Sequence, residues 1–454
     1  MSAEAGRRSR STSTEYRRPF RPWPIALVNR VIPTALVRWT LPLDVDPLLE
    51  RARRATGLHD FGSDSFVDPL RRLLASIADE AQLSALGHLM QRERIGSILE
   101  NRLRVEACFR DDPTIAETPL PPILVIAGLQ RTGTTLLHRL LASVPETRAL
   151  RSFEALAPAP IAPHRAGAID PRIIAARRAE RALHYLAPDF FAIHPIGAEE
   201  PEEDVLLLDH SFMSQVAEAT LFVPRFSAHL ETIDVTPAYR YMRRLLQLLQ
   251  RQRPGQRIVL KTPNHLEHLA VLLDVFPEAK IVQTHRDPQK TVGSFCSMVA
   301  HAIGVFSDRV DPLAIGRHWL RKITRMVSRA DEARSARGFG FAPIWSDAGA
   351  RRDALGGRDP DSDDPHGAAT RVVDLSYDAL LADPVGCVEA LLSWFGDTPS
   401  PSVRRALEAA LGENRQHKFG RHRYSLEPFG LSRAAIEAAL GAYRERYAIP
   451  IEAR

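Results

Sequence analysis

The sequence predicts an α/β protein in which a parallel sheet is flanked by helices and preceded by an N-terminal helical extension. Up to about residue 115, apolar residues recur at spacings of three and four, the pattern of helices with one buried face. From about residue 119 onward, short β-type apolar runs alternate with helical stretches, an order typical of parallel β–α–β units. A chain of 454 residues has room for both parts.

Composition and periodicity divide the chain into three segments. Residues 1–22 are rich in Ser, Arg and Pro, and we expect a disordered tail there. Residues 23–115 form the predicted helical region, with clear helical spacing in residues 69–78. Residues 116–454 form the predicted α/β domain, in which residues 337–370, rich in Gly, Asp, Arg and Pro, are predicted to be a surface insertion.

Segments of the α/β domain have the length and composition of buried strands. Each is a short, mainly apolar run followed by a helical stretch. The predicted strands cover residues 122–128, 257–261, 279–284 and 371–375. Strands separated by helices imply a parallel sheet covered on both faces.

Composition and charge exclude several classes of protein. With 44% hydrophobic and 25% charged residues, the chain is neither fibrous nor wholly disordered. The net charge of +5 is too small to indicate a nucleic-acid partner. Cys108, Cys296 and Cys387 lie far apart, which excludes a disulfide scaffold and favours a reducing compartment, so we expect a cytoplasmic protein.

No segment of the sequence reaches the roughly 18 uninterrupted apolar residues of a membrane span. The nearest candidate, Trp23–Leu43, is interrupted by Arg30, Arg38 and several prolines. We interpret it as helix that packs on the core. The alternative is peripheral contact of this basic, Trp-containing segment with an anionic membrane. The sequence leaves the oligomeric state open.

The strongest functional signal is a glycine-containing loop between a predicted strand and a helical stretch. Four residues separate Gly128 from Gly133, and Thr134 and Thr135 open the helical stretch. This is the layout of a phosphate-binding loop, in which backbone N–H groups and the positive end of a helix face an anion. Nucleotide triphosphatases place a lysine where this chain has Thr134, which argues against ATP or GTP hydrolysis. Arg131 supplies a cation inside this P-loop-like segment instead.

The segment Arg131–Thr135, which reads Arg-Thr-Gly-Thr-Thr, resembles a loop of the sulfotransferases that use 3′-phosphoadenosine 5′-phosphosulfate (PAPS). In that family, Arg/Lys-Ser/Thr-Gly-Thr-Thr/Trp follows the first strand and binds the 5′-phosphosulfate. An arginine in first place is similar to the bacterial and tyrosylprotein branches. The resemblance implies cofactor-binding roles for Arg131, Thr132, Gly133, Thr134 and Thr135.

A second motif extends the resemblance. The family binds the 3′-phosphate with an arginine just after a later strand and a serine eight residues further on. Here Arg286 follows the predicted strand 279–284, and Ser294 is eight residues further on. A guanidinium offers a planar fork to phosphate oxygens, and the serine adds a hydroxyl donor. We therefore expect Arg286 and Ser294 to bind the 3′-phosphate.

Sulfuryl transfer needs cations at the leaving phosphate and a base at the acceptor. The resemblance implies that Arg131 is one cation and that Lys261, at the end of a predicted strand, is a second. It offers two bases: Glu154, which resembles the glutamate of the tyrosylprotein branch but lies two residues later, and His265, which is two residues further from Lys261 than in the cytosolic branch. We favour Glu154.

Two further segments have open interpretations. The acidic run 197–204 resembles a stretch of bacterial members, but we interpret it as a helix N-terminus whose acids complement the dipole. The basic segment 418–430 is interpreted as a surface loop, with closure over the nucleotide as the alternative.

The sequence thus predicts a PAPS-dependent sulfotransferase, an enzyme without a metal, that acts on an acceptor hydroxyl. A small molecule, a glycan and a lipid all remain open as the acceptor, and no nucleic-acid partner is expected. The rival interpretations are a nucleotide kinase or hydrolase, against which Thr134 argues, and a non-catalytic nucleotide-binding relic.

Overall fold

A computed structural model describes residues 12–161, 167–340, 371–413 and 422–452 of the chain. The first half of the expected tail and most of the expected surface insertion, residues 341–370, lie outside these ranges. Among the described residues, no helix combines the length and the hydrophobicity needed to cross a membrane.

The N-terminal region is helical, as its periodicity predicts. Its helices are α1 (Trp23–Val31), α2 (Thr34–Thr40), α3 (Val45–Thr56), α4 (Val67–Asp79) and α5 (Ala85–Asp111). The Ser84 side chain caps α5 by accepting a hydrogen bond from the Gly87 N–H. Leu70 of α4 and Leu99 of α5 share one continuous hydrophobic core with Val125 of the sheet, so this region packs on the α/β part.

The sheet consists of parallel strands in the order β2-β3-β1-β4-β5. They are β1 (Ile123–Ile126), β2 (Thr147–Ala149), β3 (Arg257–Lys261), β4 (Lys280–His285) and β5 (Val372–Ser376). Four of them match the predicted strands. The short edge strand β2 was not predicted, because three residues with two polar side chains carry no apolar signal.

The helices of the α/β part connect the strands and cover both faces of the sheet. They are α6 (Thr134–Ser143), α7 (Ser152–Leu156), α8 (Pro171–Leu186), α9 (Pro188–Ile193), α10 (Val205–Asp209), α11 (Val216–Thr220), α12 (Pro224–Leu230), α13 (Thr236–Gln252), α14 (Asn264–Glu267), α15 (Leu269–Val275), α16 (Pro288–Phe306), α17 (Pro312–Ala336), α18 (Tyr377–Ala382), α19 (Pro384–Phe395), α20 (Pro401–Glu413) and α21 (Arg433–Arg446). Alternate residues of β1 enter opposite cores: Ile123 and Val125 face one, and Leu124 and Ile126 face the other.

The central strand β1 lies between β3 and β4, and this order places three loops side by side. Ile126, the last residue of β1, pairs with Lys261 of β3 and with Val282 of β4. Because all strands are parallel, the segments that follow β1, β3 and β4 leave the same edge of the sheet. In open parallel sheets, ligands bind at the carboxyl ends of the strands, at the point where the strand order reverses.

Candidate functional site

The loop between β1 and α6 has a backbone that only particular residues allow. Gly133, the residue before α6, has a φ of 88°, in the left-handed region. A Cβ at Gly128 would lie 1.9 Å from the Thr284 hydroxyl oxygen, so the loop passes against the end of β4 where no side chain fits. Arg131 also has a positive φ, of 70°. Such a conformation costs energy in a non-glycine residue and is often found at ligand sites.

The threonines of the loop divide into two roles. The Thr132 hydroxyl donates to the Leu129 carbonyl oxygen at 2.6 Å and lies 2.6 Å from the Thr284 hydroxyl. Its side chain is therefore committed to holding the loop on β4, and only its backbone can face a ligand. Thr134 and Thr135 open α6 and line a cavity. The first N–H groups of a helix have no acceptor within it, so this end of α6 can bind an anion.

The structure brings the two predicted nucleotide-binding motifs into direct contact. The Nε of Arg131 donates to the Ser294 hydroxyl at 3.1 Å. A guanidinium nitrogen of Arg286 donates to the Arg131 carbonyl oxygen, also at 3.1 Å. Arg286 directly follows β4, and Ser294 lies in α16. The loop after β1 and the segment after β4 thus form one cationic surface at the sheet edge.

Arg286 is held by a carboxylate from the other end of the chain. Its Nε and Nη2 donate to the two carboxylate oxygens of Glu452 at 2.6 and 2.9 Å. The Tyr377 ring centroid lies 4.0 Å from the centre of the guanidinium. Arg286 therefore stands in a fork-like geometry that suits an anion with several oxygens, and Glu452 occupies that fork.

The described part of the late basic segment packs beside Ser294. His422 lies 3.3 Å from the Ser294 hydroxyl and 2.9 Å from the Ser297 hydroxyl through its two ring nitrogens. Burial lowers the pKa of His422 to about 3, with Arg131 acting in the same direction, so its imidazole is neutral at neutral pH. The rest of this segment, residues 414–421, lies outside the described residues.

Lys261 ends β3 and points to an acidic pair that opens α10. Its Nζ donates to a Glu203 carboxylate oxygen at 2.6 Å, and its backbone N–H donates to Asp204 at 2.7 Å. Glu203 lines the same cavity as Thr134 and Thr135. The Lys261 ammonium group is buried. Its connection to the cavity is therefore indirect and runs through the Glu203 carboxylate.

His265 lies in the core and does not line this cavity. It is fully buried, with its Nε2 2.6 Å from an Asp204 oxygen and its Nδ1 2.9 Å from the Tyr239 hydroxyl. Both ring nitrogens therefore have protein partners. The structure therefore gives no support to His265 as the base. The contacts of His265 instead stabilise the end of β3.

Glu154, the favoured base of the sequence analysis, is also placed away from the cavity. It is buried in α7, where it accepts hydrogen bonds from Arg148 at 3.2 Å and from two nitrogens of Arg253 at 3.1 and 2.9 Å. The Arg151 N–H adds a further one at 3.0 Å. Burial alone would raise the pKa of Glu154, but Arg253 and Arg148 outweigh it and hold the pKa below its usual value. Such a carboxylate is a structural counter-ion and a poor proton acceptor.

The cavity beside the loop has a volume of about 240 Å³, with polar groups and an extensive apolar lining. The polar groups include Arg131, Thr134, Thr135, His194, Glu202 and Glu203. The apolar lining includes Val216, Ala219, Phe295, Met298, Ala302 and Trp319. The arrangement suits an apolar molecule that presents a polar group to the loop.

Three of these residues, His194, Glu202 and Glu203, were missed as site residues. Burial lowers the pKa of His194, against the opposing effect of the two glutamates, so its imidazole is neutral at neutral pH. For Glu202 and Glu203 the available signal is the acidic run 197–204, which resembles a stretch of bacterial members but is interpreted above as a helix N-terminus; His194 lies outside this run. Among the described residues, no cluster of His, Cys, Asp or Glu could hold a metal ion.

The contacts of Glu154 predict that Glu154→Gln destabilises the fold. The substitution leaves the Arg148 guanidinium buried without its counter-charge, and we expect the free energy of unfolding to fall by about 3–5 kcal/mol in urea denaturation. Because the folded-state pKa of Glu154 is depressed, its contribution is present above its ordinary pKa of 4.5 and is lost as the pH falls through the folded value. The difference between wild type and variant should therefore shrink on acidification.

A matched control is Glu389→Gln, which removes the partner of the exposed Arg404. We expect this substitution to cost less than about 1 kcal/mol. Equal stability of the two variants at neutral pH would show that Glu154 is not a structural counter-ion.

Comparison with known proteins gives a family match for the central part of the chain. Residues 122–340 match the family model described as "Sulfotransferase family". A curated relative, omega-hydroxy-beta-dihydromenaquinone-9 sulfotransferase Stf3 of Mycobacterium tuberculosis, is 29% identical over 197 residues, and Stf3 of Mycobacterium bovis matches to the same extent. The matched stretch is 38% of this chain and 44% of the relative, so the chain spans less than half the length of these curated relatives.

Solved structures extend the comparison to most of the chain. Sulfotransferase STF9 from Mycobacterium avium superposes with a TM-score of 0.75 over 91% of this chain and 99% of that one, at 23% identity, a likeness that concerns the fold alone. Sulfotransferase STF1 from Mycobacterium tuberculosis H37Rv superposes with a TM-score of 0.66 over 89% of this chain and 98% of that one, at 29% identity. The predicted α/β class is thereby confirmed, and the predicted family resemblance is borne out for residues 122–340, which match the sulfotransferase family model.

Proposed function

We propose that the protein transfers a sulfuryl group from PAPS to the hydroxyl group of an apolar acceptor. The observation that carries this proposal is the direct contact of Arg131 with Ser294 and of Arg286 with the Arg131 backbone. One cationic surface can then engage both phosphorylated ends of a single nucleotide. The three free cysteines are consistent with activity in the reducing cytoplasm.

The donor set at the sheet edge fits such a nucleotide. The N-terminal N–H groups of α6, the side chains of Thr134 and Thr135, and Arg131 would hold the 5′-phosphosulfate. Arg286 and Ser294 would hold the 3′-phosphate. The backbone of Thr132 and the side-chain-free Gly133 would complete the loop around the anion.

The cations of the site favour a negatively charged ligand. Burial, and next the neighbouring Arg286, lower the pKa of Arg131, because a desolvated guanidinium beside a second one is destabilised. An anion between them relieves this cost. Bound PAPS would supply the sulfuryl group. Arg131 would stabilise the charge that the bridging phosphate oxygen gains, and the buried Lys261 would add positive charge through its contact with Glu203.

The acceptor must lose a proton as its oxygen bonds to sulfur. We assign proton acceptance to Glu203, because its carboxylate lines the cavity and, unlike the buried Glu154, is partly exposed. The neutral His194 stands in the same polar part of the cavity. The balanced products are the sulfate ester of the acceptor, 3′,5′-adenosine bisphosphate (PAP) and a proton on the base.

The lining of the cavity supports an apolar acceptor. Phe295, Met298 and Trp319 provide a surface for a hydrocarbon group, while the polar loop receives the hydroxyl. The name of Stf3 specifies a hydroxylated menaquinone derivative as the substrate of that relative. We propose an acceptor of the same general kind for this chain, a lipid or small apolar molecule with one reactive hydroxyl.

The nucleotide specificity is tested by thermal unfolding. We expect PAP to raise the Tm of the wild-type protein, by an amount equivalent to about 2.7 kcal/mol at a hundredfold excess over Kd. Arg286→Ala should need at least about tenfold more PAP for the same shift, since it removes the fork that binds the 3′-phosphate.

The control is Arg321→Ala, an exposed arginine paired with Glu231. This variant should respond to PAP as the wild type does. A larger shift with ATP and Mg²⁺ than with PAP would favour the kinase or hydrolase interpretation and overturn the assignment.

The Glu452–Arg286 pair predicts that the C-terminal segment competes with the nucleotide. In Glu452→Gln the fork of Arg286 no longer holds a carboxylate, so PAP should bind about two- to fivefold more tightly in isothermal titration calorimetry. Glu445→Gln, which changes an exposed glutamate in the same part of the chain, is the matched control. Unchanged or weaker PAP binding by Glu452→Gln would refute the competition.

The role of Glu203 is tested by steady-state kinetics with PAPS and a panel of apolar alcohols and phenols, followed by PAP release. Glu203→Gln should lower kcat by about 10²- to 10⁴-fold, because the carboxylate that accepts the proton is lost. The PAP affinity should change little. Glu202→Gln is the matched control, since Glu202 lines the cavity but bonds to Ser152 and to a backbone N–H.

Other outcomes of the same assay contradict specific parts of the proposal. If His194→Gln abolished turnover while Glu203→Gln retained it, the histidine would be the base. If PAP bound tightly but the wild type turned over no acceptor of the panel, the non-catalytic interpretation would gain support.

A further inference from the structure

The N-terminal helices expose an unusual amount of apolar surface. Eight of the sixteen large apolar side chains that the described structure exposes lie within residues 20–39. Trp23 and Trp39 are 78% and 81% exposed. We define the N-terminal apolar surface as six of these exposed side chains: Phe20, Trp23, Leu27, Val31, Leu36 and Trp39. Clusters of this kind mark interaction sites, whereas scattered single residues do not.

The helices that carry this surface have little support from the protein core. Helix α1, nine residues long and mostly apolar, buries no residue, and α2 buries only Val37. Trp23, Leu27 and Val31 are spaced by four and share one face of α1. Helices this short are marginal in water unless an amphipathic face is packed. The exposed face therefore lacks a partner within the described protein.

The charge of this segment indicates the kind of partner. Five arginines and no acidic residue occur between Tyr16 and Leu43. One of them, Arg21, is paired with Asp308, and Arg17, Arg18, Arg30 and Arg38 are exposed. Tryptophan together with arginine is the composition of surfaces that enter the headgroup region of anionic membranes. A second copy of the same surface would oppose arginine to arginine, which disfavours self-association.

The dimensions of the helices decide how a membrane is contacted. At 1.5 Å per residue, α1 is about 14 Å long, roughly half of the ~30 Å hydrocarbon core of a bilayer. Pro33 separates it from α2. Both helices must therefore lie along the membrane surface, with their apolar side chains among the headgroups and upper acyl chains.

The attachment of the segment to the core connects this surface to the site. Arg21 donates to the carbonyl oxygens of Gly304, near the end of α16, and of Ser307, just after it. Phe295 and Met298 on the same helix line the cavity. A membrane bound at α1 and α2 would thus lie at one end of the helix whose middle lines the acceptor cavity.

We propose that the N-terminal apolar surface docks on the anionic face of a lipid bilayer, with Trp23, Leu27 and Trp39 inserted and Arg30 and Arg38 beside lipid phosphates. This goes beyond the proposed activity and stands without it, since it rests on exposure and charge alone. Docking would bring a protein with an apolar cavity to the phase in which apolar alcohols dissolve.

Vesicle flotation of the full chain tests the docking. The probes are vesicles of phosphatidylcholine with about 30% phosphatidylglycerol and vesicles of phosphatidylcholine alone, at about 0.15 M salt. We expect wild type to float with the anionic vesicles. Trp23→Glu/Trp39→Glu should reduce the partition coefficient at least about tenfold, since both side chains leave the interface. Arg30→Gln/Arg38→Gln should reduce it by about tenfold or more and abolish the preference for anionic lipid.

The matched control is Ile169→Glu/Tyr185→Glu, which replaces two exposed apolar residues elsewhere. It should bind vesicles as wild type does, and all variants should keep the wild-type Tm, because the replaced side chains are exposed. Equal flotation of wild type and the double tryptophan variant would overturn the proposal. So would light scattering that shows a wild-type dimer dissociated by the tryptophan substitutions, which would make the surface a contact between copies. Loss of sulfuryl transfer alone would leave the flotation result unaffected.

Discussion

The close approach of the loop after β1 to the end of β4 is the constraint on which the site depends. Gly128 leaves no room for a Cβ beside Thr284, and the Thr132 hydroxyl lies 2.6 Å from the Thr284 hydroxyl. This contact fixes the loop laterally, so Arg131 reaches Ser294 and its carbonyl oxygen receives Arg286. The two halves of the proposed nucleotide site are therefore positioned by the packing of the loop after β1 against the end of β4, and a larger residue at position 128 would separate them.

Carboxylates compensate the cations of this site. Glu452 takes the fork of Arg286, and Glu203 takes the ammonium of Lys261. The Arg286–Glu452 pair is partly accessible, so its exchange for a phosphate oxygen does not require repacking of the core, whereas in the second pair Lys261 is buried and only Glu203 is partly accessible. By contrast, Glu154 pairs with Arg148 in a buried cluster, where an exchange of partners would leave a charge without compensation. Ion pairs between basic side chains and carboxylates thus contribute to the proposed ligand binding at the cavity and, in the buried cluster, to the stability of the fold.

The sequence predicts those parts of the protein that depend on local signals. Four apolar runs identify four strands, and the glycine spacing together with Arg286 and Ser294 identifies the residues that meet at the sheet edge. The proposed base, Glu203, is not predictable from local signals. Glu154 lies close to the loop in sequence, but Arg253, 99 residues away, draws its carboxylate into a buried cluster. Glu203 reaches the cavity because Lys261, at the end of β3, fixes it, a contact across 58 residues that no spacing rule reveals.

Two features of the protein favour contact with a lipid phase. They are the apolar cavity and the N-terminal apolar surface. The proposed apolar acceptor, which would fill the pocket of Phe295, Met298 and Trp319, would be poorly soluble in water and would be concentrated in a membrane. A protein in solution would encounter such a molecule only at the low concentration of its dissolved monomers. A protein docked beside the bilayer would encounter it at the higher local concentration in the membrane. Since α16 carries both the cavity lining and the attachment point of Arg21, the fold joins the two features through a single helix.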